Sequence, residues 1–118
     1  MKLSVLSGCV IVALSCSPLV CTESGCENGL SVTVPSAVAT PFRVEAFVSR
    51  GGAVYAQTCS AAPCVVFFTE FTPAQVSVDV IAGGDTVTRA FTPAYARFRP
   101  NGTGCDPECR IATVTFVP

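Results

Sequence analysis

The stretch that decides the fold is "VSVDVIAGGDTVTRAF", Val76 to Phe91. Val76, Val78 and Val80 alternate with Ser77 and Asp79, the period of a strand that turns successive side chains to opposite faces. Thr86 to Phe91 resumes a strand-prone pattern, and between the two runs stands Ala82-Gly83-Gly84-Asp85. A glycine pair there is a strong hairpin signal, because glycine takes the positive φ that tight turns need.

Working outward, the same period recurs. Leu30 to Val34 alternates apolar and polar, and Phe42 to Ser49 places Phe42, Val44, Ala46 and Val48 on one face. Ala53 to Cys59 follows, then Cys64 to Phe71, whose continuous apolar opening suits a central strand. Tyr95 to Arg99 and Arg110 to Val117 complete about eight short strands, divided by Pro and Gly, with no amphipathic helix pattern. The reading predicts an all-β fold: a single antiparallel sandwich of about 7–8 strands over residues 30–118, with no internal repeat.

Composition agrees. The chain has 118 residues, enough for one domain, of which half are apolar and 13% charged. Valine, threonine and phenylalanine favour strands. The formal net charge is −1 with no basic run, which argues against nucleic acid as a partner. The 8 cysteines fit a small exported domain better than a cytosolic one, where thiols stay reduced.

The N-terminus carries an export address. Met1-Lys2 forms a short positive region, Leu3 to Leu14 is apolar, and no charge intervenes between Lys2 and Glu23. Ser15, Ser17 and Pro18 interrupt the run, so a signal peptide over residues 1–15 is the better reading than a membrane span. Ala13-Leu14-Ser15-Cys16 resembles the lipobox of bacterial lipoproteins, in which the cysteine is diacylated and becomes the mature N-terminus. Leu6-Ser7-Gly8-Cys9 matches that box more closely in letters but leaves almost no hydrophobic segment before it. Lipidation of Cys16 leaves an even set: Cys21, Cys26, Cys59, Cys64, Cys105 and Cys109. An ordinary signal-peptidase cut just beyond Cys16 leaves the same six, so free secretion stands as the alternative. Residues 16–29, rich in Ser, Pro, Thr, Glu, Asn and Gly, read as a tether.

The runs "GLSVTV…PFRVEAFV", a cysteine hairpin, "VSVDVIAGGDTVTRAF" and "NGTGCDPECRIATVTFVP" together resemble small bacterial lipoproteins with a carboxypeptidase-regulatory-like domain. The resemblance covers about residues 28–118 and implies a transthyretin-like or immunoglobulin-like sandwich. The Asp-x-x-Thr-Gly turn common after the first strand in that group is replaced here by Pro35-Ser-Ala-Val-Ala-Thr40. The export address, the all-β pattern and the lack of catalytic groups give the expected role: a non-enzymatic sandwich, anchored to the outer membrane or cell surface by lipid, that binds a protein or glycan or serves as an envelope component. The alternative is a freely secreted cysteine-rich effector or inhibitor.

The cysteines read as structural disulfides. Cys59 and Cys64 bracket a hairpin mouth, and Cys105-Asp-Pro-Glu-Cys109 brackets a turn, so both pairs are expected locally; Cys21–Cys26 follows by elimination. Loops this small contribute about 2 kcal/mol each, against about 4.5 kcal/mol for a long-range bridge such as one from Cys26 to Cys105. Zinc is disfavoured because the chain has no histidine and no Cys-x-x-Cys knuckle. Redox work would need that spacing at a helix N-terminus.

No cofactor and no metal site is expected. The missing histidine excludes Ser/His/Asp and Cys/His catalysis. Carboxylates that could act in pairs are Glu45, Glu70, Asp79, Asp85, Asp106 and Glu108. Tyr95, Arg97 and Arg99 alternate and would share a strand face opposite Ala96 and Phe98, a stripe suited to a carboxylate-bearing or glycan partner or to pairing with neighbouring carboxylates. Asn101-Gly-Thr103 is a formal glycosylation sequon.

Overall fold

The computed structural model of the protein describes residues 21–37 and 39–118. The expected signal peptide and Cys16 lie outside the described residues. The chain divides into two compact units. One holds, of the described residues, 21–26 and 99–108; the other holds 27–98 and 109–118.

The larger unit is all-β and sandwich-like, as expected. Its strands are β1 (Gly29–Val34), β2 (Phe42–Phe47), β3 (Val54–Cys59), β4 (Cys64–Thr69), β5 (Val76–Ala82), β6 (Asp85–Phe91), β7 (Ala96–Phe98) and β8 (Cys109–Thr115). They form two four-stranded sheets, ordered β4-β1-β8-β7 and β3-β2-β5-β6. The β5–β6 hairpin follows the sequence closely: Ala82 pairs with Asp85, and Gly83 and Gly84 take φ of 59° and 86°. Two successive positive φ values are those of the turn whose twist matches the flanking strands.

The alternating positions supply the core. Leu30, Val32 and Val34 from β1, Phe42, Val44 and Ala46 from β2, and Val76, Val78, Val80 and Ala82 from β5 are buried in one cluster with Ala112, Val114 and Phe116. Burying the Val, Leu and Phe side chains among them stabilises by about 1.5–3 kcal/mol each. Tyr55 stacks on Phe71 with centroids 4.2 Å apart, and Phe68 meets Phe71 edge-on, which packs the β3–β4 side.

Two expectations are corrected, and one strand pairing is added. The sheets are mainly antiparallel, but β1 and β8 pair in parallel through Gly29↔Ile111 to Thr33↔Thr115. No tight turn joins these strands, so nothing local announces the pairing. The segment opening at Cys64 is an edge strand, and its apolar run splits: Val66 and Phe68 face inward while Val65 is 64% exposed. Gln57 Nε2 donates to the Phe67 carbonyl at 2.9 Å, satisfying one group on that edge. Finally, β2 stops at Phe47, and Val48, expected inside, is 63% exposed. Phe47 is buried instead, with the Arg50 guanidinium 4.4 Å from its ring centroid.

Candidate functional site

The local arrangement of the cysteines differs from expectation. All six described cysteines are disulfide-bonded, in three bridges. Cys59–Cys64 forms as expected, with Cα atoms 6.3 Å apart across the β3–β4 turn. Cys21 bridges Cys105, 84 residues away, with Cα atoms 5.7 Å apart. This overturns both Cys21–Cys26 and Cys105–Cys109. A turn brings its bracketing cysteines near one another, but pairing follows the path of the whole chain.

The stretch expected to be a free tether is therefore held from Cys21 onward. Within its unit, Asn101 accounts for much of that. Its Oδ1 accepts from the Thr22 hydroxyl and from Ser24 N at 2.9 Å, and its Nδ2 donates to Ser24 O at 2.8 Å and Asp106 O at 2.7 Å. Two acceptor and two donor positions are thus all used. A glycan on Nδ2 would replace one of its hydrogens and break one of these bonds. Asn101→Asp, which has no amide donor, is expected to cost about 1–3 kcal/mol by leaving Ser24 O and Asp106 O without their partner. The readout is faster proteolysis at residues 21–26 in the variant; unchanged cleavage would reject this clamp.

Tyr95 and Arg97 belong to the larger unit and Arg99 to the smaller one. Tyr95 packs against the core, its hydroxyl donating to Pro73 O at 2.7 Å and the Arg110 guanidinium lying 5.0 Å from its ring centroid. Arg97 is exposed on β7, paired in register with Arg110 of β8. Arg99 belongs to the smaller unit, where it donates to Cys105 O at 2.9 Å and lies 3.6 Å from Glu108 and 3.9 Å from Asp106.

Burial raises the Tyr95 phenol above its ordinary 10.0, and Arg110 opposes this in part. The folded state keeps this proton to higher pH than the unfolded chain. The resulting stability is fully present below about pH 10 and is lost as pH rises through the folded value. Tyr95→Phe is expected to flatten that alkaline decline and to cost about 1 kcal/mol at neutral pH from the lost bond. Urea midpoints on either side of the phenol's titration check this; an equally steep decline in the variant would reject it.

Of the six carboxylates, β2 and β5 bring Glu45 and Asp79 directly opposite one another. Like charges in such a pair repel. Each is drawn to its own arginine: Glu45 to Arg43 at 2.6 Å, Asp79 to Arg50 at 3.0 Å. Asp79 is only 3% exposed and also accepts from the Thr88 hydroxyl at 2.6 Å. Arg50→Met leaves this carboxylate with Thr88 as its remaining side-chain partner among those described. The expected cost is about 1–2 kcal/mol, held down because water screens the largely exposed guanidinium. Adding Asp79→Asn should recover part of it, and a double-mutant cycle with no coupling would refute the pairing.

Asp85 lies at the hairpin turn, and Glu70 follows β4 with φ of 57°. Among the described residues no three His, Cys, Asp or Glu side chains converge as metal ligands. Two cavities, of about 460 Å³ and 280 Å³, share Val48, Gln75 and Thr92 and form a shallow groove at one end of the second sheet. Three disulfides are typical of exported proteins and point to an extracellular or envelope location. No family model, curated protein or solved structure matches this chain.

Proposed function

We propose that the protein is an exported lipoprotein of the carboxypeptidase-regulatory-like kind: a non-enzymatic β-sandwich, anchored by lipid on Cys16, that serves the cell envelope as a structural or a protein- or glycan-binding module. The observation that carries this reading is that every cysteine after Cys16 is committed to a disulfide. An even, fully oxidised set follows a cysteine placed at the end of a signal-like segment, the division of roles that lipidation at Cys16 would leave. The bridge at Cys21 would then place covalently held structure five residues beyond the lipid, giving a short attachment to the membrane.

Free secretion is the second reading, since a cut just beyond Cys16 leaves the same six cysteines. The hydrogen bonds of Asn101 weigh against a version of it in which that residue carries a glycan. Mass spectrometry of the mature N-terminus tests the proposal. A diacylated Cys16 is expected; an unmodified Cys16 or an intact upstream sequence would sink the anchor.

A further inference from the structure

We propose that Asn101 is a guarded site of spontaneous deamidation: the hydrogen bonds of the smaller unit hold off a reaction with water that, once run, opens the clamp for good.

The chemistry starts from the sequence. The chain has two asparagines, Asn28 and Asn101, and each is followed by glycine. The backbone nitrogen after an asparagine can attack its side-chain amide, and glycine, with no Cβ, leaves that nitrogen least obstructed. Here the Gly102 nitrogen bonds to Asn101 Cγ and gives up its proton to solvent. The Cγ–Nδ2 bond breaks, and the amide nitrogen takes up a proton and leaves as ammonia. Water then opens the cyclic imide at one carbonyl or the other, giving aspartate or isoaspartate. A water is consumed, an ammonia is released, and nothing is oxidised or reduced.

The two sites are protected in different ways. Gly29 is buried in β1, paired with Thr69 of β4 and Ile111 of β8. A Cβ there would run into the Phe67 ring and Phe68 O, so packing demands a glycine. Asn28 Oδ1 accepts from Arg110 N at 2.8 Å, and Asn28 O accepts from Glu70 N at 2.7 Å. Gly102 is exposed, with nothing within 4 Å of the place a Cβ would take, so water reaches its nitrogen. Its φ of 99° is what calls for glycine.

At Asn101 the restraint is therefore bonding, not burial. Oδ1 is held by Thr22 and Ser24, and Nδ2 by Ser24 O and Asp106 O. The attacking nitrogen is engaged as well, donating to Arg99 O at 3.1 Å. Ring closure must free the amide from these bonds and remove the proton shared with Arg99 O, so it runs from a locally opened form. The Cys21–Cys105 bridge ties the same two segments together and keeps that form rare. The step is one-way for the clamp, because neither product has the Nδ2 donor that Ser24 O and Asp106 O need.

Peptide mass spectrometry of aged samples follows both asparagines in one digest. In the disulfide-intact protein Asn101 should deamidate at least about tenfold more slowly than in the reduced, urea-unfolded chain. Thr22→Val combined with Ser24→Pro removes both donors to Oδ1 and keeps every bridge. This pair should speed the reaction at Asn101 while Asn28 stays slow. Gly102→Ala should slow it in the unfolded chain, where no guard acts. Equal Asn101 rates in the intact and unfolded protein overturn the proposal, a comparison that needs no variant to fold. An Asn101 rate unmoved by the Thr22 and Ser24 replacements overturns the guard, and one unmoved by Gly102→Ala overturns the attack by that nitrogen.

Discussion

Replacing Cys21, Cys26, Cys105 and Cys109 together by alanine is expected to lower the stability of the oxidised protein by at least about 4.5 kcal/mol, the largest loss considered, because it removes the Cys21–Cys105 bridge and leaves Cys59–Cys64 as the one bridge among the described residues. The Cys21–Cys105 bridge joins residues 84 apart, and the entropy it removes from the unfolded chain grows with the logarithm of the loop it closes. Removing Cys59 and Cys64, only 5 apart, should cost about 2 kcal/mol on the same relation. Since small domains are stable by only about 5–15 kcal/mol, the first change removes a large share of the whole. Both cysteines of a pair must be replaced, because a single variant leaves a reactive thiol. Urea midpoints of the quadruple and the double variant provide the check, and the order of the losses is the test. Equal losses, or a larger loss from the small loop, would mean that the long bridge does not act through the unfolded chain.

Phe116→Ala is expected to cost about 3–5 kcal/mol. Phe116 is fully buried at the end of the core, and its N–H donates to Thr33 O at 2.8 Å, which extends the parallel contact beyond β8. Arg89 crosses from the edge strand β6, its guanidinium 5.9 Å from the Phe116 ring centroid and its Nε donating to Val117 O at 3.1 Å. Truncation removes the ring and leaves a cavity that these neighbours can only partly fill. Val117→Ala, one residue on and 62% exposed, should be nearly neutral. Equilibrium unfolding of the two variants separates a packing effect at position 116 from a general sensitivity of the C-terminal segment. Similar midpoints for both would rule out Phe116 as a core residue.

The strands were legible for a simple reason. Period-two alternation and glycine turn chemistry are local, and they act the same way wherever a segment ends up. That is why β5 and β6 fall where Val76 to Phe91 places them and Gly83-Gly84 forms the turn. The reading erred where burial depends on what arrives from elsewhere. Phe47 stands at a position that alternation turns outward, and it is buried where Arg50 lies over its ring. Val65 belongs to an apolar run yet is exposed because it stands opposite Thr33 on the side of its sheet that turns away from the core. The partner stripe was similarly local in conception. Tyr95 is claimed by Pro73 and Arg110, and Arg99 by Cys105 and the nearby carboxylates, none of which strand parity reveals.

By itself the amino-acid sequence determined the fold class, most strand positions, the hairpin and the Cys59–Cys64 staple, because each depends on residues close along the chain. Only the tertiary structure decided the parallel β1–β8 pairing, the Cys21–Cys105 bridge and the clamp at Asn101. These join segments about eighty residues apart or depend on which strands become neighbours. Such contacts form where the buried faces of distant segments pack, and no short window of sequence encodes that meeting.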